Sequence, residues 1–230
     1  MEITLVNKNE SIYSFQLDEK NYIKFSPERG GVITNWVSDD QEILYFDKKR
    51  FIDKAKSIRG GIPILFPICG NLDITYSLFG DNYMELKQHG FARDLEWQYC
   101  LNEKNNSLCL TLQDTDKTKI YYPYNFEIKI EVFLKINCLK LKINIQNKSN
   151  IEMPINFGLH PYFNISDFKN LEFIDYPLNC QDQKNNFLRN TYDELKNIHH
   201  GIDLLMYTSG RSSFRDNYFK RKVTLINPSP

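Results

Sequence analysis

Alternation of apolar and polar positions is the strongest signal in this chain. Phe126, Ile128, Ile130, Val132, Leu134 and Ile136 alternate with Glu127, Lys129, Glu131, Phe133 and Lys135. Leu139, Leu141, Ile143 and Ile145 then alternate with Lys140, Lys142, Asn144 and Gln146. A period of two residues places successive side chains on opposite faces of a strand. The short Asn137-Cys138 connection makes these two strands an antiparallel hairpin with one face on a core and the other largely wet. The same pattern predicts strands over Trp97–Leu101 and Ser107–Gln113, around an Asn-rich turn.

Earlier, Ile3–Val6, Ser11–Leu17, Tyr22–Ser26, Val32–Val37 and Glu42–Phe46 are short β-favouring runs. They are separated by turn-forming residues such as Gly30-Gly31 and Ser38-Asp39-Asp40, and together they predict an opening meander. Val223–Asn227 reads as a last strand before Pro-Ser-Pro. Helix is sparse. Its clearest candidate runs from about Tyr192 to Ile198, with Thr191 and Glu194 spaced as a capping box and Gly201 at the stop. The fold class is therefore all-β, a large antiparallel β-sandwich, and no repeat or linker divides residues 1–230 into more than one domain.

Composition narrows the function. A chain of 230 residues with 41% hydrophobic and 14% aromatic content can bury a substantial core. Lys plus Arg (29) equals Asp plus Glu (29), so no basic surplus points to nucleic acid or to a membrane surface. The N-terminus lacks the layout of a secretory signal, and no apolar run reaches the ~20 residues that a spanning helix needs. Five scattered cysteines (69, 100, 109, 138 and 180) without a CxxC pair fit reduced thiols, so a soluble, cytoplasmic protein is expected.

Chemistry has few candidates. GxSxG, Walker-type, GxGxxG and HExxH motifs are absent from the sequence. What stands out is Arg59 before Gly60-Gly61, His89 and Arg93 in QHGFAR, His160 in GLHPYF, and Asp203 in HGIDLLMY. Taken singly, each has a structural explanation: a core histidine, a turn-bracing imidazole, a carboxylate-paired arginine. His199-His200 reads as solvent-facing loop, since no third metal ligand stands at suitable spacing.

RGGIPILFPICG, QHGFARDLEW, GLHPYFN and GIDLLMY, in that order, resemble the aldose 1-epimerase (galactose mutarotase-like) superfamily, most closely its hexose-6-phosphate mutarotase branch. The resemblance runs from about Arg29 onward. It implies a mutarotase-like supersandwich that interconverts α and β anomers of a hexose or hexose 6-phosphate by acid/base ring opening, without metal or organic cofactor. By the same resemblance, His160 protonates the ring oxygen, His89 assists, Arg59 and Arg93 orient substrate oxygens, and Asp203 accepts sugar hydroxyls. Paired guanidinium donors also suit a phosphate.

Family members carry their general-base glutamate late in the chain, and no matching motif follows RKVTLINPSP. The expectation is thus a sandwich truncated at its C-terminus, lacking the base, with an exposed sheet edge open to homodimer formation. The alternative function is a non-catalytic carbohydrate or sugar-phosphate binding protein. The expected partner is a small sugar or sugar phosphate, with neither nucleic acid nor membrane.

Overall fold

A computed structural model describes residues 1–72 and 86–227. These form two compact units, 1–164 and 165–230. In the first unit, β1 (Glu2–Asn7), β2 (Ile12–Asp18), β3 (Asn21–Ser26), β4 (Val32–Ser38) and β5 (Gln41–Glu42) follow one another as a 5-stranded antiparallel meander. Helix α1 (Lys48–Ile52) and strand β6 (Ile64–Leu65) come next. The second sheet joins β7 (Gln98–Asn102), β8 (Ser107–Gln113), β9 (Phe126–Lys135) and β10 (Cys138–Asn147), with helix α2 (Asp116–Tyr121) between β8 and β9. Strand β11 (Gly158–Leu159) pairs with β6.

Both sheets bury the face that the alternation assigns to the core. Phe15, Ile23, Phe25 and Ile33 of the first sheet pack in one cluster with Leu108, Leu110, Ile128, Ile130 and Val132 of the second. On β9 the even positions from Phe126 to Leu134 are buried, while Lys129 and Lys135 are exposed. This is a β-sandwich, with its apolar residues sealed between two pleated layers.

The second unit holds β12 (Leu171–Ile174), β13 (Asn179–Asp182), β14 (Leu188–Asn190), α3 (Thr191–Leu195), β15 (Leu204–Leu205), β16 (Arg211–Asp216) and β17 (Arg221–Ile226). They make two small sheets, β12-β16-β17 and β14-β13-β15. Buried Asp216 ties this unit together. Its carboxylate accepts from the Ser166 amide and hydroxyl at 2.8 Å each, and from the amides of Tyr218 and Phe219 at 3.0 Å each.

Several expected boundaries shift for local reasons. The strand expected over Glu42–Phe46 stops at Glu42, because the Glu42 carboxylate takes the amides of Trp36 (3.0 Å) and Leu44 (3.3 Å). Leu44 and Phe46 instead make isolated bridges to Phe163 and Gly60. The β9–β10 hairpin turns at Ile136-Asn137, one residue earlier than expected, with Asn137 at φ 57 and Cys138 already paired to Lys135. Helix α3 is capped by Asn190, whose side chain accepts from Tyr192 and Asp193, so Thr191 lies inside the helix rather than capping it. Past Leu195 the chain makes a separate 3-10 turn, Ile198–His200, whose C-cap is Gly201. Strand β17 reaches Ile226, and the closing Pro-Ser-Pro lies outside the described residues.

Candidate functional site

Arg59 enters the first unit on a stretch whose backbone is clasped from two sides. Its carbonyl accepts from the Asp47 amide at 2.9 Å, and the Gly61 amide donates to Tyr45 at 2.7 Å. Gly61 has φ +68, and a Cβ there would collide with the Ile33 carbonyl oxygen, so only glycine lets the chain pass so close to β4. Beyond it, β6 pairs with β11, aligning Leu65 with Gly158 and Ile64 with Leu159. That pairing carries His160, whose amide donates to Pro63 at 3.0 Å.

His89 arrives from the other side of β6. The amides of Phe91 and Ala92 both donate to the Phe66 carbonyl, and Gly90 bridges Phe66 in parallel. Ala92 and Trp97 are fully packed, and the Trp97 indole N–H donates to the Ala92 carbonyl at 2.9 Å. The QHGFARDLEW stretch is therefore nailed to the core at Ala92 and Trp97, with His89 and Arg93 among its polar members. Arg93 donates from one guanidinium nitrogen to the Gln88 carbonyl at 2.7 Å, while its Nε is buried with no hydrogen-bond partner among the described residues.

Arg59, Arg93 and His160 all lie close enough to His89 to act on it electrostatically. The His89 and His160 rings are 5.8 Å apart, edge to face at 71°. Burial first, and then the charges of Arg93, His160 and Arg59, hold the His89 pKa below the ordinary imidazole value of 6.5. A neutral imidazole beside two guanidinium groups makes a positive, donor-rich cluster suited to oxygen-bearing, anionic ligands. Asp203 lies in the second unit, exposed, with its backbone carbonyl accepting from Gln183.

Tyr162 was not foreseen. Its ring stacks on His160 at 4.8 Å and 25°, and its amide donates to Gly61 at 2.9 Å. The signal was in the sequence: residues two apart on an extended segment share a face, so His160 and Tyr162 stand together. Gly70 was also not foreseen; its backbone amide donates to His89 Nδ1 at 2.8 Å, a contact no side-chain motif signals. His199 and His200 are exposed, their rings 3.9 Å apart, and among the described residues no group of three or more metal-ligating side chains gathers.

The aldose 1-epimerase family profile matches residues 13–199 of this sequence. The chain belongs to the aldose 1-epimerase family. It is 30% identical over 164 residues to a Cenchrus ciliaris protein provisionally named glucose-6-phosphate 1-epimerase, a match covering 64% of this chain and 46% of that one. The chain thus spans about half the length of the curated relatives it matches. The crystal structure of the Slr1438 protein of Synechocystis sp. PCC 6803 is 34% identical and superposes with a TM-score of 0.85, covering 93% of this chain and 75% of that one. A galactose mutarotase related enzyme of Lactobacillus acidophilus, 20% identical, shares the fold with a TM-score of 0.69 over 93% of this chain and 76% of its own. The all-β, mutarotase-like sandwich expected from the motifs is the aldose 1-epimerase fold seen here.

Proposed function

We propose that this protein interconverts the α and β anomers of a hexose or hexose 6-phosphate, in the cytoplasm, by acid/base ring opening. The observation that carries the reading is the convergence of His89, His160, Arg59 and Arg93 in one cluster of the first unit. Ring opening needs a proton delivered to the ring oxygen while the anomeric hydroxyl loses one, and an imidazole exchanges protons easily near neutral pH. His160, exposed and set by the β6–β11 pairing, is the acid in this reading. Arg59 and Arg93 orient substrate oxygens in this reading. The general base is assigned to no residue of this chain.

The preference for a 6-phosphate follows from charge. Two guanidinium groups act on His89 and, among the described residues, no carboxylate acts with them. The same observation supports a second reading, a protein that binds a sugar phosphate without turning it over.

The test is anomer exchange of glucose 6-phosphate followed by NMR, with and without protein. Acceleration that falls by about 10²-fold or more in His160→Ala supports the epimerase. Binding shifts without any acceleration favour the binding protein, and neither effect refutes both readings.

A further inference from the structure

Two hydrogen bonds join residue 70 to residue 89. The His89 amide donates to the Gly70 carbonyl at 2.7 Å, and the Gly70 amide donates to His89 Nδ1 at 2.8 Å. The second bond fixes the ring's orientation, because a flipped ring would put Cδ2 in that place, and carbon does not accept an N–H at such a distance. It also fixes the proton. A ring nitrogen that accepts has its lone pair free, so a neutral ring carries its proton on Nε2.

The backbone is bent to make this pairing. His89 sits at φ 67 and Gly70 at φ 87, both left-handed, and for a non-glycine residue such a conformation costs about 1 kcal/mol or more. Among the described residues, nothing packs against Gly70: a Cβ built on it would meet nothing within 4 Å. Among the described residues, the charged and titratable groups acting on the His89 ring are Arg93, His160 and Arg59, and each of them opposes a second ring proton. Protonating Nδ1 would also break the bond from Gly70.

We propose that the Gly70 amide is a positioning group of this site, holding His89 as the neutral Nε2–H tautomer, so that His89 offers one hydrogen-bond donor to a ligand oxygen and transfers no proton in the reaction. Labour is then divided between the two histidines. His160 moves protons, and His89 polarises an oxygen that has a free lone pair: a ring ether, a hydroxyl or a phosphoryl oxygen. A cationic nitrogen would find no acceptor on this ring. The ligand assignment rests on the epimerase reading, whereas the tautomer does not.

The deciding experiment is long-range ¹H–¹⁵N NMR on the ¹⁵N-labelled chain, with the His89 signals assigned by their loss in His89→Gln. The expected pattern at neutral pH is an acceptor-type Nδ1 and an NH-type Nε2, persisting below the ordinary imidazole pKa. An NH-type Nδ1, or a doubly protonated ring at neutral pH, overturns the proposal. In the anomer-exchange assay, the His89→Gln carboxamide reaches toward the Nε2 position and is expected to lose at most about tenfold, with the shape of the pH profile kept. His89→Asn, which reaches only toward Nδ1, is expected to lose about a hundredfold. An acid limb that moves in His89→Gln shows that His89 titrates in the reaction and also overturns the proposal. Absence of exchange in the wild type sinks the epimerase reading, and the tautomer is still decided by NMR.

Discussion

A single hydrogen atom is all that the space at Gly90 admits. A Cβ there would press on the carbonyl group of Phe66, and φ +71 is already a conformation that side-chain-bearing residues avoid. Gly90→Ala is expected to lower stability by about 2–4 kcal/mol, read as a shift in the urea midpoint, and to disturb the NMR signals of His89. Asp216 makes a different kind of prediction. Burial alone would raise its pKa, but the hydrogen bonds from Ser166, Phe219 and Tyr218 overcome that and hold it below the usual 3.8. A carboxylate with a depressed folded pKa stabilises fully above its unfolded value, and that stability is lost as pH falls through the folded one. Asp216→Asn is therefore expected to be about 2 kcal/mol less stable than wild type at pH 7, and urea midpoints of the two should converge as pH falls below the usual carboxylate range.

At the scale of elements, Ser38 joins segments far apart in sequence. Its buried hydroxyl accepts from the Asn137 amide at 2.9 Å, and it lies 3.2 Å from the Oδ1 atoms of both Asn21 and Asn137. The tip of the β9–β10 hairpin is thereby fastened to the β4–β5 turn. Ser38→Ala leaves the Asn137 amide without that acceptor, with an expected loss of about 1–3 kcal/mol and faster amide exchange at the hairpin tip in hydrogen-exchange NMR. The hairpin itself was legible in the sequence, because ten paired residues of strict alternation leave one register that buries the apolar face. Helices α1 and α2 were not. At 5 and 6 residues they are too short to show a helical period, and their traces are caps: Asp47 accepting from Arg50, and Thr115 with Thr118 as a capping box. In α3, two adjacent residues, Asn190 and Thr191, were both competent to cap, and local spacing could not rank them. For the candidate site, motifs nominated the imidazoles and guanidiniums, but the Tyr162 stack and the Gly70 amide depend on which strands become neighbours.

For the molecule as a whole, the core is unevenly shared. The main cluster of buried side chains, from Phe15 to Leu134, comes entirely from residues 1–164. In residues 165–230, by contrast, the buried apolar side chains among the described residues are Cys180, Leu195, Phe214 and Val223, while Leu178, Phe187, Leu188 and Tyr207 are exposed. Small units with little buried apolar surface are marginal by themselves. A chain of residues 1–164 is expected to melt cooperatively when made separately, and one of residues 165–230 to lack a cooperative transition, both checked by circular dichroism. A cooperative melt from the shorter piece would contradict this.

The pair of bonds between Gly70 and His89 works like a buckle. Its two halves share the same pair of residues, so opening either bond loosens the other, and the Gly70 and His89 amides are expected to exchange with solvent hydrogen at a common rate.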